Sequence, residues 1–210
     1  MKVVITLGPT QEPIDDVRFI TNASSGRMGA TLAEEGLRRG HDVTLVCGPV
    51  HVLLPKNARV VNVRTAKEMI GKTLDLLEDA DTLISTAAIA DYSPEKVSGK
   101  IKSGGELVLK LKPTRKLISE ARKRFPKLFI VGFKAEYGIG NSRLIESAGK
   151  SLTENKLDIV VANDLSNRIV DSEDTEAVMI DGERTEPIGR TSKKKAAKRI
   201  WDRIEAKLKV

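Results

Sequence analysis

Four short segments of this chain, KVVITL, DTLIST, KLFIVGF and DIVVAN, are almost continuously apolar. A strand with one wet face alternates polar and apolar residues, whereas a strand covered on both faces does not need to. These runs therefore require cover on two sides. Between them lie longer segments whose apolar residues recur at helical spacing. The pattern predicts strands over 2–7, 42–47, 59–63, 82–86, 106–111, 128–133 and 158–162, and helices over 27–39, 66–79, 115–124, 142–154 and 192–208. Such alternation points to an α/β fold with a doubly wound, Rossmann-like, mostly parallel sheet and helices on both faces. AVMIDGERTEPI breaks the rhythm, with two short extended runs flanking Asp181-Gly182, a hairpin signal. The sequence shows no repeat, low-complexity segment or flexible linker, so residues 1–210 are expected to form one domain, with the hairpin and a flap as extensions.

Several functional classes fall away on composition. No apolar run is long enough to span a bilayer, and MKVVITLGPT enters a strand without a signal-peptide pattern. A single cysteine, Cys47, excludes an internal disulfide, so a cytoplasmic setting is expected. The formal charge of +7 invites a nucleic-acid reading, but only 3% of residues are aromatic, and base-stacking modules interleave aromatics with their cations. The most basic run, TSKKKAAKRIWDRIEAKLKV, instead places Ile200, Ile204 and Leu208 on one helical stripe. It reads as a surface helix packed by that stripe, its lysines solvated or near a partner subunit.

Ligands of open α/β sheets bind beyond the carboxyl ends of the strands. The segments found there are GPTQEPIDDVRFITNASSGRMG, TAAIADYSPEKVSGKIKSGG, GFKAEYGIGN and ANDLSN. The first two are long for simple connections, as expected of loops that build a site. A dehydrogenase fingerprint would place G-x-G-x-x-G directly after the first strand and an acid about 20 residues further on for the ribose. Here Gly26 arrives only after an inserted loop, and the second strand ends in Cys47 and Gly48. NASSGRMG still sets Ser24, Ser25 and backbone N–H groups at a helix start, where donors and dipole favour an anion. Ser24 or Ser25 could equally cap the helix over 27–39. The inserted loop, which brings Arg18 and Asn22, favours the anion site.

GPTQEPIDDVRFITNASSGRMGATLA, STAAIADYSPEKVSGKIK and VGFKAEY together resemble the phosphopantothenate–cysteine ligase family, over about Thr6 to Asn163. The resemblance implies a ligase of coenzyme A biosynthesis. Phosphopantothenate would attack the α-phosphate of CTP, or of ATP, and cysteine would then displace the nucleotide from the acyl-nucleotide. Mg2+ is implied with the triphosphate, without assigned metal ligands. It also implies a homodimer in which one subunit helps complete the other's site. Many relatives carry a flavin-dependent decarboxylase ahead of this region; none precedes it here, so a stand-alone synthetase is expected, with a decarboxylase as a separate partner.

Carried over residue by residue, the resemblance places Asn22 at the acyl carbonyl and Arg18 as a fork for carboxylate or phosphate. Gly8, Ser24, Ser25 and Gly26 line the phosphate cradle. Ser85, Thr86 and Ala87 lie beside the nucleotide, with Asp91 toward the ribose. Lys100 is the flap lysine that neutralises the triphosphate, and Phe133 lies beside the base. Thr114, Arg115, Lys116 and Leu117 fall where nucleotide contacts occur in relatives. No covalent nucleophile is needed, so Cys47 is read as a buried structural thiol.

In one place the chain departs from the family. Relatives often carry two lysines in A-x-x-K-x-x-x-K-N-x-D; here AGKSLTENKLD puts Ser151 and Asn155 at those positions and Lys150 and Lys156 one residue off. One residue turns a helical side chain by about 100°, so neither lysine directly replaces its counterpart. A nicotinamide-dependent reductase and a non-catalytic nucleotide-binding module remain as alternative functions.

Overall fold

The computed structural model describes residues 1–166 and 172–209. Its core is one eight-stranded sheet. In chain order its strands are β1 (Lys2–Leu7), β4 (Asp42–Cys47), β5 (Arg59–Asn62), β6 (Thr82–Ser85), β9 (Phe129–Glu136), β10 (Ile159–Asp164), β11 (Asp174–Asp181) and β12 (Thr185–Ser192). Two small hairpins stand apart from it, β2 (Gln11–Pro13) with β3 (Phe19–Thr21) and β7 (Tyr92–Pro94) with β8 (Leu111–Pro113). The sheet order is β12-β11-β10-β9-β6-β1-β4-β5. The pairs from β5 through to β10 are parallel, and β11 and β12 add antiparallel strands at one edge. Strand order reverses at β1, which lies between β4 and β6; this is where an open sheet leaves a crevice.

The apolar runs are buried on both sides, as their composition requires. Val3, Ile5 and Leu7 of β1 face α1 (Arg27–Arg38) and α5 (Lys193–Leu208). Val4 faces the opposite layer, built from α2 (Ala66–Leu76), α3 (Leu117–Arg124) and α4 (Gly140–Glu154). Cap chemistry sets several helix starts. Thr65 and Glu68 form a reciprocal capping box on α2, and Ser192 Oγ accepts from Lys195 N–H on α5. The basic helix is seated by its stripe: Ile200 and Ile204 are fully buried and Leu208 partly so. Trp201 lies beside Gly36 of α1, where a Cβ would come within 2.5 Å of the indole, and its Nε1 donates to the Leu32 carbonyl at 2.8 Å.

The strand expected over 106–111 does not form. Only Leu111 belongs to a strand, and β8 pairs with β7 rather than with the main sheet. Its apolar residues have no face to bury: Leu107, Val108 and Leu111 are exposed. The helix expected over 66–79 is α-helical to Leu76 and closes with a 3-10 turn over Leu77–Asp79. The hairpin at Asp181-Gly182 is longer than its two short runs suggested. β11 and β12 each have eight residues, join the sheet through β10, and turn through Gly182–Arg184. Asp181 fixes that turn by accepting from the N–H groups of Glu183 and Arg184.

Candidate active site

The carboxyl ends of β1 and β6 and the start of α1 meet more closely than side chains would allow. Gly26, the residue that caps α1, has φ +75°, a conformation that suits glycine. A Cβ on Gly29 would lie 2.4 Å from Leu7 Cβ and 2.6 Å from Thr86 Oγ1. The strand ends are also tied by hydrogen bonds. Thr86 Oγ1 donates to the Thr6 carbonyl at 2.7 Å, and Ala88 N–H donates to the Gly8 carbonyl at 2.9 Å. Asn22 bridges the two loops, its Nδ2 donating to the Ala88 carbonyl at 3.1 Å while its own carbonyl accepts from Ser24 N–H at 3.0 Å. Neither serine is the N-cap of α1: Gly26 holds that position with no side-chain cap, and Ser25 Oγ takes only a long bond, 3.4 Å, from Arg27 N–H. A helix start left without a side-chain acceptor is suited to an external anion.

Three hollows run along this edge. The widest, about 1220 Å³, lies between the 48–57 loop and α1 and is lined in part by Asn22, Ser24 and Ser25. A second, about 170 Å³, lies between Gly26–Gly29 and the β9–β10 ends, with Thr86, Ala87, Phe133 and Asn163 in its wall. The third, about 340 Å³, is on the other side of the sheet edge, lined by Ser85, Ala87, Asp91, Thr114, Arg115, Lys116, Leu117, Phe133 and Asn155. Ala87 and Phe133 line both of the last two, so these adjoin across the Phe133 ring. The structure thus brings together residues from three distant stretches of sequence. Thr114 joins two of them, its N–H donating to the Asp91 carbonyl at 2.9 Å and its Oγ1 to the Ala90 carbonyl at 2.6 Å. Lys116 forms an ion pair with Asp91 at the rim, and Arg115 forms a two-point pair with Glu120. Leu117 belongs to the core layer with α2, α3 and α4, and Phe133 is half-buried against the opposite layer, with α1 and α5.

Arg18 and Lys100 are not among the residues lining these hollows. Arg18 lies 3.5 Å from Asp15 Oδ2 and donates to the Ile101 carbonyl at 2.5 Å. Lys100 is exposed on the segment that follows β7. The YGIGN loop borders a separate hollow of about 500 Å³, but its N–H groups are engaged within the protein. Asp164 accepts from Ser166, Gly138, Ile139 and Gly140 N–H groups, which hold its carboxyl well below the usual carboxylate range. The last residue of ANDLSN, Asn167, lies outside the described residues.

The one-residue shift in AGKSLTENKLD has a definite outcome. Lys150 faces Glu154 at 3.8 Å and is exposed, Lys156 stands at the end of α4 with φ +49°, and neither lines the 340 Å³ hollow. Asn155 does line it, with Nδ2 donating to the Ser151 carbonyl at 3.1 Å and Oδ1 3.4 Å from Ser119 Oγ. Cys47 is buried, and burial pushes its thiol up to about 11. It therefore stays protonated where a ribose-binding acid would otherwise stand. Asn163 and Lys193, both lining the 170 Å³ hollow, escaped the sequence reading. Asn163 was visible only as a polar residue ending a strand, and Lys193 is one lysine of a basic run although it is 3% exposed. Among the described residues, no group of three or more His, Cys, Asp or Glu could hold a metal ion, and no helix is long and apolar enough to cross a membrane.

Residues 1–208 match the family described as the DNA/pantothenate metabolism flavoprotein C-terminal domain. The coenzyme A biosynthesis bifunctional protein CoaBC of Thermococcus kodakarensis is 39% identical over 211 residues, covering 99% of this chain and 51% of that protein. The crystal structure of the C-terminal domain of a coenzyme A biosynthesis bifunctional protein CoaBC superposes with a TM-score of 0.84 at 31% identity, over 99% of this chain and 95% of that one. The DNA/pantothenate metabolism flavoprotein from Streptococcus pneumoniae gives a TM-score of 0.88 at 28% identity, over 98% and 99% of the two chains. The chain spans about half the length of the curated relatives it matches.

Proposed function

This chain belongs to the family of DNA/pantothenate metabolism flavoprotein C-terminal domains, and from that membership we propose that it is a phosphopantothenate–cysteine ligase acting in coenzyme A biosynthesis. The observation that carries the proposal is the pair of adjoining hollows at Ala87 and Phe133. One is walled by the start of α1 and the other by the Asp91 and Thr114–Leu117 loops. An acid and a nucleoside triphosphate could occupy them with their reacting ends at the shared wall.

In the first half-reaction a carboxylate oxygen of phosphopantothenate attacks the α-phosphorus and pyrophosphate leaves. In the second, the cysteine amine attacks the acyl carbon, the C–O bond to the nucleotide breaks, and the nucleoside monophosphate departs with that oxygen. Two polyanions must approach each other, so donors and cations must face them. The start of α1, with Ser25 and Gly26 and the Ser24 hydroxyl beside it, supplies donors. Asn22 Nδ2 lies at the junction of the β1 and β6 loops, where it can donate to the acyl oxygen as that oxygen gains charge. Phe133 offers an aromatic wall to the base, and Asp91 an acceptor to the ribose. Mg2+ bound with the triphosphate would neutralise its charge; the described residues hold no group of three or more His, Cys, Asp or Glu for it, and no protein ligand is assigned. CTP is the favoured co-substrate and ATP the alternative.

A homodimer accounts for the remote position of Arg18 and Lys100. Val17, Phe19, Tyr92, Val97 and Leu111 are exposed apolar residues in and around the two small hairpins, the region that also holds both cations. A second copy seated there would cover this surface and could receive Arg18 and Lys100 at its own hollows. A flavin-dependent decarboxylase is the partner that would take the product.

The test is to mix protein, phosphopantothenate, cysteine, Mg2+ and either CTP or ATP and to measure pyrophosphate. Release that requires phosphopantothenate supports the ligase. Absence of release with both nucleotides contradicts it.

A further inference from the structure

The turn between β2 and β3 carries two adjacent aspartates, and both reach across to the segment after β7. Asp15 has a fully covered side chain. Its Oδ1 accepts from Val17 N–H at 2.8 Å and Arg18 N–H at 2.6 Å, which shapes the turn. Its Oδ2 accepts from Ile101 N–H at 3.1 Å, 86 residues away in sequence. Arg18 closes the ring, its guanidinium lying 3.5 Å from Asp15 Oδ2 while donating to the Ile101 carbonyl. Asp16 repeats the arrangement one step earlier. Its Oδ2 accepts from Gly99 N–H at 2.7 Å, its own N–H donates to the Gly99 carbonyl at 3.0 Å, and Lys96 pairs with its Oδ1 at 2.6 Å.

Lys100 lies between these two pinned residues, with an exposed side chain. A surface turn has no need of a buried carboxylate for its own sake, because burying that charge is costly unless each oxygen is satisfied. The turn itself uses only Oδ1. The second oxygen is committed to Ile101 and Arg18.

We infer that Asp15 is a positioning residue for the two cations of the proposed ligase, orienting Arg18 directly and Lys100 through the backbone of Ile101, with Asp16 as the second anchor. The inference rests on the reading of Lys100 as a partner of the triphosphate.

Asp15→Asn separates the two tasks of the carboxylate. Its amide oxygen can still accept from Val17 and Arg18, but its NH2 then faces the Ile101 N–H, donor against donor. In hydrogen exchange, Ile101 N–H should exchange at least about tenfold faster in this variant, while Val17 N–H keeps its rate. Binding of CTP and of ATP, measured by calorimetry, should weaken about tenfold in Asp15→Asn and in Lys100→Ala, the loss expected for one charge-assisted contact. With Arg18 serving the acid and Lys100 the triphosphate, the double variant should bind nucleotide no more than about twofold more weakly than either single one, because a lysine already misplaced has little left to lose. Lys102→Ala, beyond the anchored stretch, should stay within about twofold of the wild type.

Losses that multiply to about a hundredfold in the double variant, or unchanged Ile101 exchange alongside normal nucleotide binding, overturn the positioning role alone. Wild-type protein that binds neither triphosphate overturns the ligase reading and the role of Lys100 with it.

Discussion

The start of α1 and the segment after β7 are both rich in glycine and serine, but only the first lines the candidate hollows, and the two are held in different ways. The first is fixed by backbone sterics and apolar burial. Gly29 lies against Leu7 and Thr86, and the helix it opens is locked to α5 through Gly36 and Trp201. The second is fixed by a few polar contacts to Asp15 and Asp16, and beyond Ile101 its apolar residues Leu107 and Val108 stand exposed. A phosphate-binding helix start must be preformed if its donors are to act without reorganisation. A segment that closes over a ligand must be cheap to move, and such segments come from the least stable parts of a fold.

If the rigid region carries the chemistry, the largest effect should come from Asn22. Asn22→Asp should keep the overall fold, losing locally the bond to the Ala88 carbonyl, and lower turnover by about 10²–10³, the usual loss for one donor at a developing oxyanion, and here with added repulsion. The acyl-nucleotide should accumulate and be visible by mass spectrometry; normal turnover would break the assignment. Next is Gly29→Val. Its Cβ would displace packed backbone-proximal atoms, so destabilisation of about 1–3 kcal/mol is expected, read as a lowered thermal midpoint. An unchanged midpoint would show that this junction is looser than its distances suggest.

A pH experiment sharpens the same contrast. Glu35 of α1 is hydrogen-bonded to Arg38 and, against partial burial, to Arg39, and is held down to about 2 from a usual 4.5. A depressed carboxylate stabilises the fold fully above the unfolded value and loses that contribution as pH falls through the folded one. The fold should therefore weaken between about pH 4.5 and 2, and Glu35→Gln should flatten that part of a stability–pH curve. The smallest effect on the fold is expected in the hairpin patch. Val17→Ser should change protomer stability by no more than about 0.5 kcal/mol, the usual range for an exposed site. It should nonetheless shift light scattering from twice 23.0 kDa toward 23.0 kDa on dilution. A wild-type mass of 23.0 kDa at micromolar concentration would remove the dimer.

The parts of the fold legible in the sequence were those fixed by burial. KVVITL, DTLIST and DIVVAN admit few placements other than central strands, and Ile200 and Ile204 marked the buried stripe of α5 despite its lysines. What escaped was fixed by contacts distant in sequence. β2, β3, β7 and β8 are three residues each, too short for any period to register, and they form because β2 pairs with β3 and β7 with β8. ELVLKLK carries a strand-like composition, but only its end enters the small β7–β8 hairpin and none of it joins the main sheet. The candidate site divides the same way. Asp91, Thr114 and Phe133 are brought to one hollow, whereas the role of Asp15 depends on Ile101, 86 residues away in sequence.

The most direct test of the central claim, ligation through an acyl-nucleotide, follows one oxygen atom. Phosphopantothenate labelled with 18O in its carboxylate is turned over with cysteine, Mg2+ and CTP or ATP, and the nucleotide product is weighed. The account predicts a nucleoside monophosphate carrying one 18O, since the attacking carboxylate oxygen leaves with the α-phosphate when the amine displaces it. Product formed with an unlabelled nucleoside monophosphate, or with a nucleoside diphosphate and labelled inorganic phosphate, would contradict it.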